Sequence, residues 1–297
     1  MFVVTYRKFF YVLSVILIGG SIAAVAVWGL KLGIDFKGGS IIEVEYATST
    51  PSQASLVTAL APLNLDASVR SSGETGFLIR MKSISQTEKE TLITALNTTS
   101  TSTIKRFDSI GPVLGGDAAR KAIASIVLVL IAIVLFITYA FRQVSRPVSS
   151  WKYGMVAIIA LLHDVIIPTG VFAVLGHYLG YEIDTLFVTA LLVVLGFSVH
   201  DTIVVFDRVR ENLRHMGSKK PFDEIVGHSI SQTFTRSINT SLTTLLALIV
   251  LYFVGGEATH HFSLALIIGI IAGTYSSVFI GSPLLVTLQK WADRKRS

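Results

Sequence analysis

Six apolar runs, at 9–30, 122–141, 153–176, 185–206, 237–255 and 261–288, constrain this 297-residue chain more than any other feature. About 20 apolar residues wound as a helix match the hydrocarbon thickness of a bilayer. Inside lipid the backbone must satisfy its own hydrogen bonds, so such runs become helices. The predicted fold class is therefore an α-helical polytopic membrane protein with six transmembrane helices. A 52% apolar and 15% charged composition argues against a soluble globular enzyme. Cysteine is absent, which removes disulfide and thiol chemistry.

The formal net charge of +6 raises nucleic-acid binding as a possibility, but the placement of the basic residues argues against it. Arg7 and Lys8 precede the first run, and Arg142, Arg146 and Lys152 separate the second from the third. Arg208, Arg210, Arg214, Lys219 and Lys220 follow the fourth, and Lys290, Arg294, Lys295 and Arg296 follow the sixth. The short connections 177–184 and 256–260 hold no Lys or Arg. The positive-inside rule then places both termini in the cytoplasm and those two connections outside. Arg120 and Lys121 oppose this, but they end a long domain, where the rule is weak. The basic residues read as topogenic, with anionic membrane lipids as partners and no nucleic acid. Ala24-Val25-Ala26 imitates a signal-peptidase site, yet the apolar run continues to Leu30. An uncleaved anchor helix over 1–30 is expected.

About 90 residues, 31–121, separate the first two runs and fall outside the cytoplasm by this topology. Ile42, Val44 and Tyr46 alternate with Glu43 and Glu45, as in a half-buried strand. A short helix opens at Pro51 and Ser52, and strands are predicted near 66–70 and 77–81. A helix over 86–97 and a strand near 103–108 follow, with the Thr/Ser run 98–103 readable instead as a linker. Strand–helix–strand–strand–helix–strand is the split βαβ order, so one ferredoxin-like α+β domain is expected. Two glycine clusters flank it, 33–39 with Asp35, Gly38 and Gly39, and 111–117 with Gly111 and Pro112. They read either as turns that need glycine's backbone freedom or as hinges. The first is no phosphate loop, since no helix-opening Gly-Lys-Ser/Thr follows. Beyond this domain, 122–289 form a five-helix bundle with a cytoplasmic loop at 207–235, and 290–297 a basic tail.

Asp201 lies within the fourth apolar run, before the charges that begin at Asp207. A carboxylate there costs roughly 2.5–3.5 kcal/mol on insertion scales, which marks it as a functional candidate. Arg236, near the start of the next run, is its expected partner. The pair reads either as a proton relay or as a permanent ion pair pinning two helices. His163, Asp164, His200 and Asn239 are candidates for a second polar relay or for helix packing. Gly269, Gly273, Ser277 and Gly281 recur every four residues, a stripe that allows close helix approach. Ser198, His200 and Asp201 cannot form a nucleophile–base–orienter line on one helix, so no protease is expected. His177, His260 and His261 lack a metal-site companion set. No catalytic residue, metal or cofactor is expected, and the chain is not read as an enzyme.

Gly33-Ile34-Asp35-Phe36-Lys37-Gly38-Gly39 after the first run resembles a signature of SecF proteins, in the SecD/SecF family of the resistance–nodulation–division superfamily. The run Asp201-Thr202-Ile203-Val204-Val205-Phe206-Asp207-Arg208-Val209-Arg210-Glu211-Asn212 is similar to that family's fourth-helix motif. Ser231-Gln232-Thr233, Arg236-Ser237, Thr240-Ser241-Leu242-Thr243-Thr244-Leu245 and Gly255-Gly256 resemble it as well, with His200 a departure from the expected Asn. The resemblance implies an accessory subunit of the Sec translocase in the bacterial plasma membrane. Such a subunit uses the proton or sodium motive force to promote late preprotein export. It implies SecD as the other six-helix half, the SecYEG translocon, YajC, YidC and preproteins as partners, and Asp201 with Arg236 as the relay. Two alternatives remain: half of a related small-molecule or lipid exporter, and a passive scaffold that holds emerging preprotein.

Overall fold

The computed structural model describes residues 2–47, 50–142, 149–216 and 219–294, without the side chains of residues 99, 257 and 258. Arg146, Lys295 and Arg296, placed in the cytoplasm above, lie outside the described residues, as do parts of the predicted loop 207–235 and tail 290–297. In chain order, a short turn α1 (Phe2–Thr5) precedes α2 (Arg7–Trp28). Then come α3 (Ile34–Lys37), β1 (Gly39–Tyr46), α4 (Gln53–Leu60), β2 (Ser68–Ser72), β3 (Gly76–Met81), α5 (Gln86–Thr99) and β4 (Ser102–Ile110). The long helices are α6 (Pro112–Ala140), α7 (Ser150–Tyr178), α8 (Thr185–Met216), α9 (Phe222–Val254) and α10 (Glu257–Ser276). A π-helical turn, Ser277–Gly281, joins α10 to α11 (Ser282–Arg294). The chain divides into two compact units: Leu32–Ile123, and Met1–Lys31 with Ala124–Ser297.

In the Leu32–Ile123 unit an antiparallel sheet runs in the order β2-β3-β1-β4, the split βαβ topology. Ile42, Val44 and Tyr46 of β1 are buried with Leu56 of α4 and Leu92 and Leu96 of α5. That burial is what the alternating pattern specifies. The second strand begins two residues later than expected. Asn64 and Asp66 adopt left-handed backbone (φ 50° and 51°), so the turn occupies the predicted start of the strand. A capping box between Ser85 and Glu88 opens α5. Beyond α5, Asn97 accepts from the Ser102 backbone N–H (2.9 Å) and hydroxyl (2.8 Å). Those bonds tie the Thr/Ser run to the start of β4 instead of leaving it a solvated linker.

Six helices among the described residues are long and apolar enough to span a membrane: α2, α6, α7, α8, α9 and Thr259–Arg294. The most apolar windows of α7, α8 and the last span are 44%, 50% and 61% buried, against 22%, 6% and 17% for α2, α6 and α9. The former group therefore makes the centre, where polar side chains can be shielded. The charged stretch 207–235, expected as a loop, is largely helical, since α8 runs to Met216 and α9 starts after Pro221. Hydropathy marks where lipid ends, not where a helix ends. Beyond that point α8 and α9 hold each other through Val205, Val209, Val226 and Ile230. Asn212 adds hydrogen bonds to Ser229 (2.8 Å) and Gln232 (2.9 Å).

Candidate functional site

The small-residue stripe of the last span sets how closely α10 approaches α8. A Cβ on Gly269 would lie 2.3 Å from Val194 Cγ2, and one on Gly273 would lie 3.1 Å from Ser198 Cβ. At Gly281 the same construction meets Thr202 at 4.0 Å, an ordinary contact. Val194, Ser198, Asp201 and Thr202 are spaced along one face of α8, and all are buried. Glycine on one helix thus makes room for a polar strip on the other.

Two carboxylates occupy this interface. Asp164, on α7, is 0% exposed. It accepts hydrogen bonds from the Ser276 hydroxyl (2.8 Å) and the Ser198 hydroxyl, and pairs with His163 Nδ1 at 2.9 Å. The His163 ring is buried and stacks on Tyr275, with centroids 5.8 Å apart. Its Nε2 is buried with no hydrogen-bond partner among the described residues. Asp201, on α8, is 4% exposed and accepts a long bond from the Ser277 hydroxyl (3.4 Å). Ser237 turns inward from α9 toward the same carboxylate, its hydroxyl near it but outside hydrogen-bond geometry.

Arg236 does not close an ion pair with Asp201. It is exposed on α9, because the next residue, Ser237, holds the inward position and consecutive residues diverge by about 100° around a helix. His200 and Asn239 are also exposed, so none of the three is buried with the cluster, although the charges of His200 and Arg236 still act on Asp201. His163 and Asp164, secondary candidates in the sequence, are the more deeply buried acid–base pair. Ser198, Ser276 and Ser237 had no role assigned from the sequence. Ser276 precedes a member of the small-residue stripe and Ser198 lies three residues before Asp201, and those spacings were the available signals.

The two glycine clusters meet within the Leu32–Ile123 unit. Gly38 (φ +77°) would place a Cβ 2.7 Å from Pro112 Cα, and Gly115 one 2.6 Å from the Gly38 nitrogen. Gly39 (φ +140°) abuts the Met81 carbonyl, and Asp35 sits in α3 just before the pair. Of the outer histidines, His177 stacks on Trp28, His260 lies against Tyr252 and His261 against Tyr181. No group of three potential metal ligands occurs among the described residues.

A multi-pass membrane bundle with buried acids, and a split βαβ unit between its first two spans, defines the class. Residues 88–291 match the family model for the protein export membrane protein SecD/SecF, C-terminal, and residues 24–50 the SecD/SecF GG motif. The chain belongs to the SecD/SecF family of protein-export membrane proteins. It is 43% identical to the protein translocase subunit SecF of Thermobaculum terrenum, over 96% of this chain and 93% of that one. It is 34% identical to the protein translocase subunit SecDF of Brucella abortus, over 87% of this chain and 33% of that one. The crystal structure of SecDF from Thermus thermophilus, a translocon-associated membrane protein, superposes with a TM-score of 0.82 at 30% identity. That match covers 97% of this chain and 38% of that one.

Proposed function

We propose that this chain is an accessory subunit of the Sec translocase which, with SecD, uses the proton or sodium motive force to promote late preprotein export. The observation that carries the reading is Asp201: a carboxylate buried between spanning helices, held by one long serine hydrogen bond and, among the described residues, no direct ion pair. A lasting negative charge in that position is costly, and uptake of a proton or cation removes it.

Partnership with SecD is supported by the longer relatives, whose printed name joins the two proteins. It is supported as well by the surface of α8 and α9, where His200, Arg236, Asn239 and Thr243 are exposed on helices that span the membrane. Lipid offers such groups no hydrogen-bond partners, and a second membrane half does. In this reading SecD covers that face. Arg236, one residue from Ser237, responds to the charge at Asp201 through the position of α9. SecYEG, YajC and YidC are the wider assembly, and preprotein is the cargo.

The orientation follows the basic residues: both termini in the cytoplasm of a bacterial cell, and Leu32–Ile123 outside. Trp28, stacked on His177 and edge-on to Tyr178 at the ends of α2 and α7, suits the outer lipid interface. The close-packed glycine clusters act as the joint that passes bundle movements to the outer domain.

The test is export into inverted vesicles with and without this chain, before and after an uncoupler. Stimulation that requires the chain and vanishes on uncoupling supports the reading. Stimulation unaffected by proton and sodium ionophores contradicts it and favours a passive scaffold.

A further inference from the structure

We propose that His163 and Asp164 form a second proton-binding site, which takes up one proton at His163 Nε2 and is tied to Asp201 through Ser276 and Ser277. The proposal deepens the gradient-coupled reading and rests on it for its place in the cycle, though not for its chemistry.

The site is built. Asp164 receives Ser198, Ser276 and His163 Nδ1, three donors from α7, α8 and α10, and both residues of the pair are almost wholly buried. With Nδ1–H donating to the carboxylate, a neutral imidazole carries no hydrogen on Nε2. That nitrogen is then a buried acceptor with nothing to accept from. The pair in that state has a net charge of −1. One proton bound at Nε2 makes an imidazolium, brings the pair to net zero and breaks no existing bond. Neutralisation of this kind is what a buried charge without a permanent counter-ion favours.

Among the described residues, the groups packed around the pair supply no fixed cation. From α2 comes Tyr11, bonded to Thr287, with Arg7 at the far start of the helix bonded to the Val4 carbonyl. From α10 comes Tyr275, whose hydroxyl donates to the Phe10 carbonyl at 2.9 Å. From α8 comes Asp201, with His200 turned outward. Lys290 of α11 is engaged with Asp223. The titratable neighbour with a negative charge is therefore Asp201.

Ser276 and Ser277 make the link. Each hydroxyl has two acceptors: Asp164 or the Gly273 carbonyl (3.1 Å) for Ser276, and Asp201 or the Thr274 carbonyl (3.1 Å) for Ser277. A carboxylate that loses its charge loses its hold on the hydroxyl, which then stays with its own helix. Both residues sit where α10 passes into the π-helical turn, so a shift at one serine alters the backbone that carries the other.

The experiment is pH-difference infrared spectroscopy on the full chain with its SecD partner in lipid nanodiscs. Wild type, His163→Gln, Asp164→Asn, Asp201→Asn and the Ser276→Ala/Ser277→Ala double variant are compared, each first checked for intact assembly. The expected result is a histidine–carboxylate protonation signal in wild type. It disappears in both His163→Gln and Asp164→Asn. Its midpoint moves by about one pH unit in Asp201→Asn, as coupled sites require, and by less when the serines are also removed. Absence of the titration in wild type, or its survival in both His163→Gln and Asp164→Asn, overturns the site. A midpoint indifferent to Asp201→Asn overturns the link. Export by Asp201→Asn is read separately: normal gradient-dependent export with the titration present would sink the Asp201 reading and leave this site standing.

Discussion

Ser276 donates to Asp164 across 2.8 Å, while the next residue along the chain turns to a different acid, Asp201. Adjacent residues of an α-helix point about 100° apart, so two neighbouring positions on the last span can serve acids on α7 and α8 at once. The π-helical turn begins at Ser277. Such turns are frequent at functional sites, and this one falls where the two acids are bridged.

Removing the buried acid on α7 should be more damaging to the fold than removing an exposed one. Asp164→Ala leaves the Ser198 hydroxyl and the His163 ring without their acceptor and takes one of two acceptors from Ser276. A loss of about 1–3 kcal/mol for each group left unsatisfied is expected. Asp164→Asn keeps one carbonyl acceptor and should lose less than half of that. Reversible unfolding of the full chain in bicelles measures both, and equal stabilities for Ala and Asn would contradict the described network.

The glycine stripe gives a steric prediction. Gly269→Ala puts a methyl group 2.3 Å from Val194 Cγ2. The expected cost is about 1–3 kcal/mol. Val194→Ala should restore part of it when combined, as neighbouring residues couple. Additive effects of the two substitutions would mean that α10 and α8 do not meet there.

The sequence carried the spans, the split βαβ order and the small-residue stripe, because each is written as a local period. Alternation at Ile42, Val44 and Tyr46, and glycine or serine every fourth residue from Gly269, need no tertiary knowledge. The continuation of α8 through Arg208 and Arg210 was legible in the fourth-helix motif but not in hydropathy, since its support comes from Val226 and Ile230 on another helix. The relative depth of the acids was not legible. Asp164 and Asp201 look alike in an apolar run, and only the assembled bundle shows three donors on one and a single long bond on the other. Asp201 and Arg236 make no direct ion pair, since Ser237 takes the inward position one residue on, and Arg236 acts on the acid only through its charge.

At the glycine clusters, Gly38→Ala is expected to destabilise the Leu32–Ile123 unit. The Gly38 backbone (φ 77°, ψ 163°) lies in a region almost reserved for glycine, which costs a residue with a Cβ about 1–3 kcal/mol. A methyl 2.7 Å from Pro112 Cα adds an overlap with backbone that cannot rotate away. Gly111→Ala, with nothing within 4 Å of its Cβ, should be far milder. Hydrogen exchange at β1 and β4 in the intact chain distinguishes them.

The same unit should lose stability in acid. The hydrogen bond and charge of Lys105 hold Glu45 below its ordinary value of 4.5, and the Ser85 backbone N–H and hydroxyl do the same for Glu88. A depressed carboxylate stabilises the fold above its unfolded value and stops doing so as pH falls through the folded one. Lys105 is raised above 10.5 by the same pair, so its contribution is present below that value and fades as pH climbs past the raised one. Exchange protection of β1, β4 and the start of α5 should therefore be flat near neutrality and fall below about pH 4.5. Ser85→Ala should shrink the acid step at α5 and leave the one at β4.

The central claim is that the charge on Asp201 changes during work. Export in inverted vesicles carrying Asp201→Asn, with its partner subunits and a clamped ion gradient, tests it most directly. The expected result is normal assembly, normal ATP-driven insertion and no increase in export when the gradient is applied. Gradient-stimulated export by Asp201→Asn equal to wild type, in a strain with no other copy, would contradict the claim.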